Sequence, residues 1–175
     1  VKKYFGIVVE NCGEFSTFTL SNCDIYPEMK RFIGDIDAKA DVKGRVFVPA
    51  AFRKILSESG NEYLVLKKDI FQDCLVLYPG SVWNDELDTL RSKLNKYDEE
   101  QQQLFRQFVF ESETLEIDAN GRILIPKRYM QLANIDKEVR FVGIDYTIEI
   151  WSKSKLDKPL LDNDTFRAHV KKFLG

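Results

Sequence analysis

Apolar positions fall along this chain in matching sets. Two apolar triplets, Val46-Phe47-Val48 and Ile123-Leu124-Ile125, each follow a Gly-Arg pair and precede a proline. Short apolar runs bounded by turn residues read as strands. Two further strand-like runs lie behind each triplet, at 63–66 and 74–78 in the first set and at 139–142 and 147–151 in the second. Between the sets the period becomes helical: Trp83, Leu87, Leu90 and Leu94 form a stripe at i, i+4, i+7 and i+11. A second run, Glu99–Phe110, gathers Leu104, Phe105, Phe108 and Val109 on one side, a pattern expected of core or of a subunit interface. A third helix is predicted over 164–174, with Phe166, Val170, Phe173 and Leu174 on one face and Lys171 and Lys172 suited to its C-terminal dipole.

The triplets belong to a longer repeat. Asp41-Val-Lys-Gly-Arg45-Val-Phe-Val-Pro49-Ala-Ala-Phe52 recurs 77 positions later as Asp118-Ala-Asn-Gly-Arg122-Ile-Leu-Ile-Pro126-Lys-Arg-Tyr129. That offset exceeds the period of solenoid repeats, roughly 20–50 residues, so the chain reads as a duplicated small domain. The first copy with a helical connector covers 29–110, and the second with a C-terminal helix covers 111–175. In each copy the Asp can accept backbone N–H bonds within a tight turn, and Gly44 or Gly121 supplies a positive φ. Pro49 and Pro126 suit the first turn of a helix, where a missing N–H costs nothing. Each copy is then strand, turn, strand, short helix and two more strands, an α+β arrangement.

Composition narrows the class. The chain has 175 residues, 44% hydrophobic and 31% charged, with 13 Phe, 7 Tyr and 2 Trp to supply a core. These values exclude a disordered chain, a collagen or a membrane bundle. The apolar run at residues 4–9 is shorter than the ~7–15 of a secretory segment and the ~20 of a membrane span. Three cysteines without an export signal point to a reducing cytoplasm. Residues 1–28, which carry Cys12 and Cys23 and a charge of −2, follow neither period. They read as an upstream extension with Met29 as the functional start; a hairpin around Cys12-Gly13 is the alternative.

The net charge of −2 excludes a histone-like basic wrapper, but the charge is unevenly placed. Residues 29–54 carry seven basic and three acidic side chains, residues 119–133 carry three basic and none acidic, and residues 85–118 carry four basic and ten acidic. Candidate catalytic chemistry is sparse. The single histidine, His169, lies on the last predicted helix, and Cys74 sits in an apolar run as a small hydrophobe. Cys12 and Cys23 lack a second pair, and no phosphate-binding or dinucleotide fingerprint occurs. No enzyme, cofactor, metal site or small-molecule substrate is expected. The two turns instead project Arg45 and Arg122, with Lys43 beside the first. Arginine suits bidentate contact with guanine or phosphate, and a short β-ribbon can enter a major groove. Arg45 and Arg122 are also placed to pair with Asp41 and Asp118 four positions back. The two roles are compatible, since such an Asp can fix the approach of its Arg.

Three ordered motifs carry a resemblance: Asp-x-Lys-Gly-Arg-(x)3-Pro-(x)3-Arg at 41–53, Cys-Leu-Val-Leu-Tyr-Pro-(x)3-Trp at 74–83, and Asp-x-x-Gly-Arg-(x)3-Pro at 118–126. From about Met29 onward the chain resembles the MraZ family, the two-domain bacterial members of the SpoVT-AbrB-like superfamily. The resemblance implies a double-split β-barrel built from both halves, with peripheral helices. It also implies cytoplasmic, nucleoid-associated homo-oligomeric rings and regulation of the division and cell wall gene cluster through repeated promoter boxes in double-stranded DNA. The DNA contact carried over falls on Arg45 and Lys43 first and on Arg122 second, with Arg53 and Lys39 as further basic candidates. Asp41, Gly44, Asp118, Gly121, Pro49 and Pro126 structure the turns. The chain departs from the family pattern at Ile33, often Arg there. Within the chain, Asn120 replaces Lys43 and Met130 replaces Arg53 in the second copy, which implies a second loop that binds more weakly or mainly serves the barrel. A protein-interaction module of antitoxin type on the same fold is the alternative, against which stands the ordered helix predicted at 164–174.

Overall fold

The computed structural model describes residues 29–60 and 63–175. The expectations for residues 1–28, Cys12 and Cys23 included, lie outside the described residues. The elements in chain order are β1 (Phe32–Lys39), β2 (Arg45–Phe47), α1 (Ala50–Glu58), β3 (Leu64–Lys68), β4 (Cys74–Pro79), α2 (Gly80–Lys93), α3 (Glu99–Phe110), β5 (Ser112–Leu115), β6 (Arg122–Leu124), α4 (Lys127–Leu132), β7 (Glu138–Asp145), β8 (Thr147–Ser152), a 3-10 turn (Lys153–Lys155) and α5 (Asn163–Leu174). This is the mixed α+β content expected from the sequence.

All strand pairs are antiparallel. Six strands form one sheet in the order β1-β7-β8-β4-β3-β5, and β2 pairs with β6 in a separate two-stranded ribbon. The repeat makes β1 equivalent to β5, β3 to β7 and β4 to β8, so the sheet order reads the same from either edge. Each half sends its first strand into the other half: β1 lies against β7, and β5 lies against β3. In the ribbon Val46 faces Ile123, the same position of the two copies, and a local two-fold axis passes between them.

The core follows from this exchange. Val46, Val48, Ile123 and Ile125 point inward and join Phe32, Phe52, Leu66, Leu75, Leu77, Tyr129, Phe141, Ile148 and Ile150 in one continuous cluster drawn from both halves. Phe32 on β1 meets Phe52 on α1 edge-to-face at 5.6 Å, a favoured aromatic geometry. Leu64–Lys67 and Cys74–Leu77 are buried at every position, because β3 and β4 are covered on both faces. Cys74 is wholly buried, as its apolar setting implied, and burial pushes its thiol up to about 12.

Local details differ from the sequence expectation in three places. Pro49 and Pro126 sit at the N-cap rather than inside the first turn, and their carbonyls accept bonds from Arg53 and Met130 at 2.9 and 3.3 Å. Helix α2 ends at Lys93 and Leu94 is extended, so the stripe loses its last member. There the chain turns toward Asp98, which caps α3 by accepting from the Gln101 N–H at 2.9 Å. Trp83 on α2 stacks on Phe108 of α3 at 5.7 Å and meets Tyr78 of β4 edge-on at 5.3 Å, which ties the connector to the sheet, whereas Leu104 and the apolar face of α5 are exposed.

Because each half supplies a strand to the other, fragments 29–110 and 111–175 should each lack a cooperative thermal melt when produced alone and regain it on mixing. Circular dichroism and tryptophan fluorescence check this; an independent cooperative melt of either fragment would contradict the exchange.

Candidate nucleic-acid interface

Both turns are built by one carboxylate doing three jobs. Asp41 Oδ1 accepts the backbone N–H groups of Lys43 (2.8 Å) and Arg45 (2.9 Å), and its Oδ2 accepts Nε of the Arg45 side chain at 2.6 Å. Asp118 repeats the pattern with Asn120 (2.8 Å), the Arg122 backbone (3.0 Å) and Arg122 Nε (2.9 Å). Gly44 and Gly121 follow at φ of 86° and 80°, a region that L side chains resist. The Gly44 and Gly121 carbonyls accept from Ile125 at 2.9 Å and Val48 at 3.0 Å across the two-fold, so each turn is stitched to the other half.

The side chains of β2 and β6 alternate. Val46 and Ile123 face the core, which leaves Arg45, Phe47, Arg122 and Leu124 on the outer face of the ribbon. Arg45 lies opposite Leu124, and Arg122 lies opposite Phe47 with its guanidinium carbon 5.7 Å from the ring centroid. Phe47 is 56% and Leu124 51% exposed, unusual for apolar strand residues with core neighbours on either side. Each guanidinium is engaged by its Asp through Nε and Nη2, leaving Nη1 uncommitted among the described residues. Lys43 projects from the first turn with no ion pair among the described residues.

The remaining predicted residues are placed elsewhere. Lys39 pairs with Glu138 at 2.9 Å, its register partner on β7, and so belongs to the edge of the large sheet. Arg53 donates from Nε to the Val48 carbonyl at 3.0 Å and lays its guanidinium against Gly121, where any Cβ would overlap it. Its counterpart Met130 sets its sulfur against Gly44. The first half therefore supplies a cation to the second turn, and the second half supplies a thioether to the first. Phe47 and Leu124 were legible only as apolar strand residues; period-two alternation between buried neighbours is the signal that could have marked them as exposed. No cluster of His, Cys, Asp or Glu suited to a metal occurs among the described residues, and no described helix is long and apolar enough to cross a membrane.

The family profile described as "MraZ protein, putative antitoxin-like" matches residues 32–106 and 108–164. A relative from Bacteroides thetaiotaomicron is 52% identical over 147 residues, covering 84% of this chain and 94% of the relative. Relatives from Phocaeicola vulgatus and Bacteroides fragilis are 52% and 51% identical over 145 and 146 residues, each covering 83% of this chain and 94% and 92% of the relatives. The chain belongs to the MraZ family. All three relatives carry the name transcriptional regulator MraZ. Within the MraZ family match, both Asp-x-x-x-Arg turns lie in the aligned segments, one in each.

The turn carboxylates set a pH dependence. Asp41 is held down from 3.8 to about 2, chiefly by the Arg45 backbone N–H and then by its side chain, and Asp118 is lowered chiefly by the Arg122 side chain. A carboxylate depressed in the folded state contributes its stability above 3.8 and loses it as pH falls through about 2. Thermal melts from about pH 5 to 2 should show the wild type losing stability across that window, with a shallower loss in Asp41→Asn, which has no such carboxylate to protonate.

Proposed function

We propose that this chain is a sequence-specific DNA-binding transcriptional regulator that acts on repeated short boxes upstream of the division and cell wall gene cluster. The observation that carries the reading is the ribbon's outer face: two arginines, each aimed by its own carboxylate, flank two exposed apolar side chains beside Lys43. The names of the relatives support the same class of activity. A two-stranded ribbon has the width to enter a major groove, and an arginine with a free fork end suits guanine or phosphate. Arg45 and Lys43 make the principal contact and Arg122 the second. Arg53, seated under the second turn, and Lys39 at the sheet edge add positive potential. The strand exchange and mirrored sheet order support reading the architecture as a double-split β-barrel with tandem halves at 29–110 and 111–175.

One chain neutralises few phosphates, so its affinity alone is modest and salt-sensitive. A homo-oligomeric ring presenting identical ribbons to spaced boxes makes later contacts intramolecular, with a gain of ~10²–10⁴ where the spacing fits. The acidic connector, residues 85–118, opposes indiscriminate binding. The reading places the protein in the cytoplasm on the nucleoid, without catalytic chemistry. The exposed face of α5, with Phe166 and Phe173, favours an additional protein contact, as an antitoxin-type module would need.

Footprinting on DNA upstream of the gene at several salt concentrations tests the proposal and should reveal regularly spaced protected boxes. Arg45→Ala should weaken binding about tenfold or more, while Asp88→Ala, on an exposed face of α2, should leave it unchanged. Asp41→Ala should also weaken binding although it removes a negative charge, because Arg45 loses its orientation. Tighter binding by Asp41→Ala would show that the carboxylate only repels DNA.

A further inference from the structure

We infer that Phe47 and Leu124 are specificity-determining residues that read thymine methyl groups from the ribbon's outer face. This rests on the DNA-binding reading above and adds a base preference that arginines alone do not supply. Both side chains stand more than half exposed, although the strands that carry them are anchored on either side by wholly buried residues. The core excludes them by alternation, so their apolar character serves nothing inside the fold. Phe47 is also held in place: Arg122, its cross-strand partner, is fixed by Asp118 and lies against its ring.

The occupant follows from the charge around the patch. Arg45 lies across from Leu124 and Arg122 across from Phe47, Lys43 stands on the adjoining turn, and the turn acids Asp41 and Asp118 are consumed in holding the arginines. An apolar protein partner would have to bury these cations. A duplex meets both requirements, since its phosphates and guanine edges match the cations. In the major groove its apolar feature is the C5-methyl of thymine, which aromatic and aliphatic side chains contact. The spacing agrees. Arg45 and Phe47 are two residues apart along an antiparallel strand, roughly 6.8 Å, and two base-pair steps of B-DNA span about the same distance. The ribbon therefore offers cation and apolar contacts at alternating corners: arginines on one diagonal, Phe47 and Leu124 on the other. A box combining guanine with thymine two steps away fits this face.

The test uses the full-length protein and the footprinted DNA, prepared once with thymine and once with every thymine in the footprint replaced by uracil, which keeps pairing but lacks the methyl. Wild type should bind the uracil duplex more weakly, by roughly fourfold per buried methyl. Phe47→Ala should bind the thymine duplex more weakly and lose less further on the uracil duplex than wild type does, keeping only the share read by Leu124, so that the two changes are non-additive. Phe47→Leu should retain part of the discrimination, and Leu124→Ala should reduce it independently. Thermal melts should stay close to wild type, since both side chains are outside the core. Equal binding of both duplexes by wild type would overturn the inference while leaving DNA binding intact, and so would full thymine preference in both alanine variants. Failure of wild type to retain either duplex would overturn the DNA-binding reading itself.

Discussion

The antiparallel pairing of β2 with β6 is the contact on which the rest of the molecule depends. Three residues on each side make it, and Val46 against Ile123 places equivalent positions of the repeat on a two-fold axis. The pair buries one face of each strand and so presents the other. It also brings the two turns to opposite ends of one ribbon, where Gly44 and Gly121 can hydrogen-bond across to the partner half. A two-stranded ribbon this short is marginal alone. It persists here because Val48 and Ile125 carry its ends into a core shared with the large sheet.

Electrostatics on the ribbon are organised for orientation more than for stability. Exposed Arg–Asp pairs contribute little to folding. Their effect is to remove rotamer freedom from the guanidinium before a ligand arrives, which lowers the ordering cost of binding. The same arrangement reconciles an acidic net charge with an anionic partner. The carboxylates nearest the arginines are turned toward backbone N–H groups and Nε atoms, while most surplus acid lies on the connector, 85–118. The exchange of halves adds Arg53 to the second turn, so Asn120 does not leave that turn with Arg122 alone, while Met130 lies against the first turn.

Much of the local structure was legible in the chain. The repeat marked both turns, and the Asp four residues before each Arg announced the ion pair that forms. Runs 74–78 and 147–151 became β4 and β8 within a residue, because one is a continuous apolar run and the other alternates apolar with polar, and both patterns at this length favour a strand. Less was legible where tertiary contacts decide. Leu94 kept the helical period yet left the helix, since the turn toward the Asp98 cap outweighed one more apolar contact. Arg53 looked like a companion of Arg45, being eight residues downstream on the same copy. It lies against the opposite copy's glycine, a neighbour that no spacing within one copy can specify.

By itself the sequence determined the two Asp-Gly-Arg turns, the strands they open, the polarised charge and the family. These depend on backbone conformation and side-chain chemistry within a few consecutive residues. Only the tertiary structure decided which strands pair, that the halves exchange β1 and β5, and that Phe47 and Leu124 face outward beside both arginines. Those outcomes arise from burying a single core between two copies that are distant in sequence. Packing of that kind selects partners by shape and register across the two-fold axis, information that no local pattern contains.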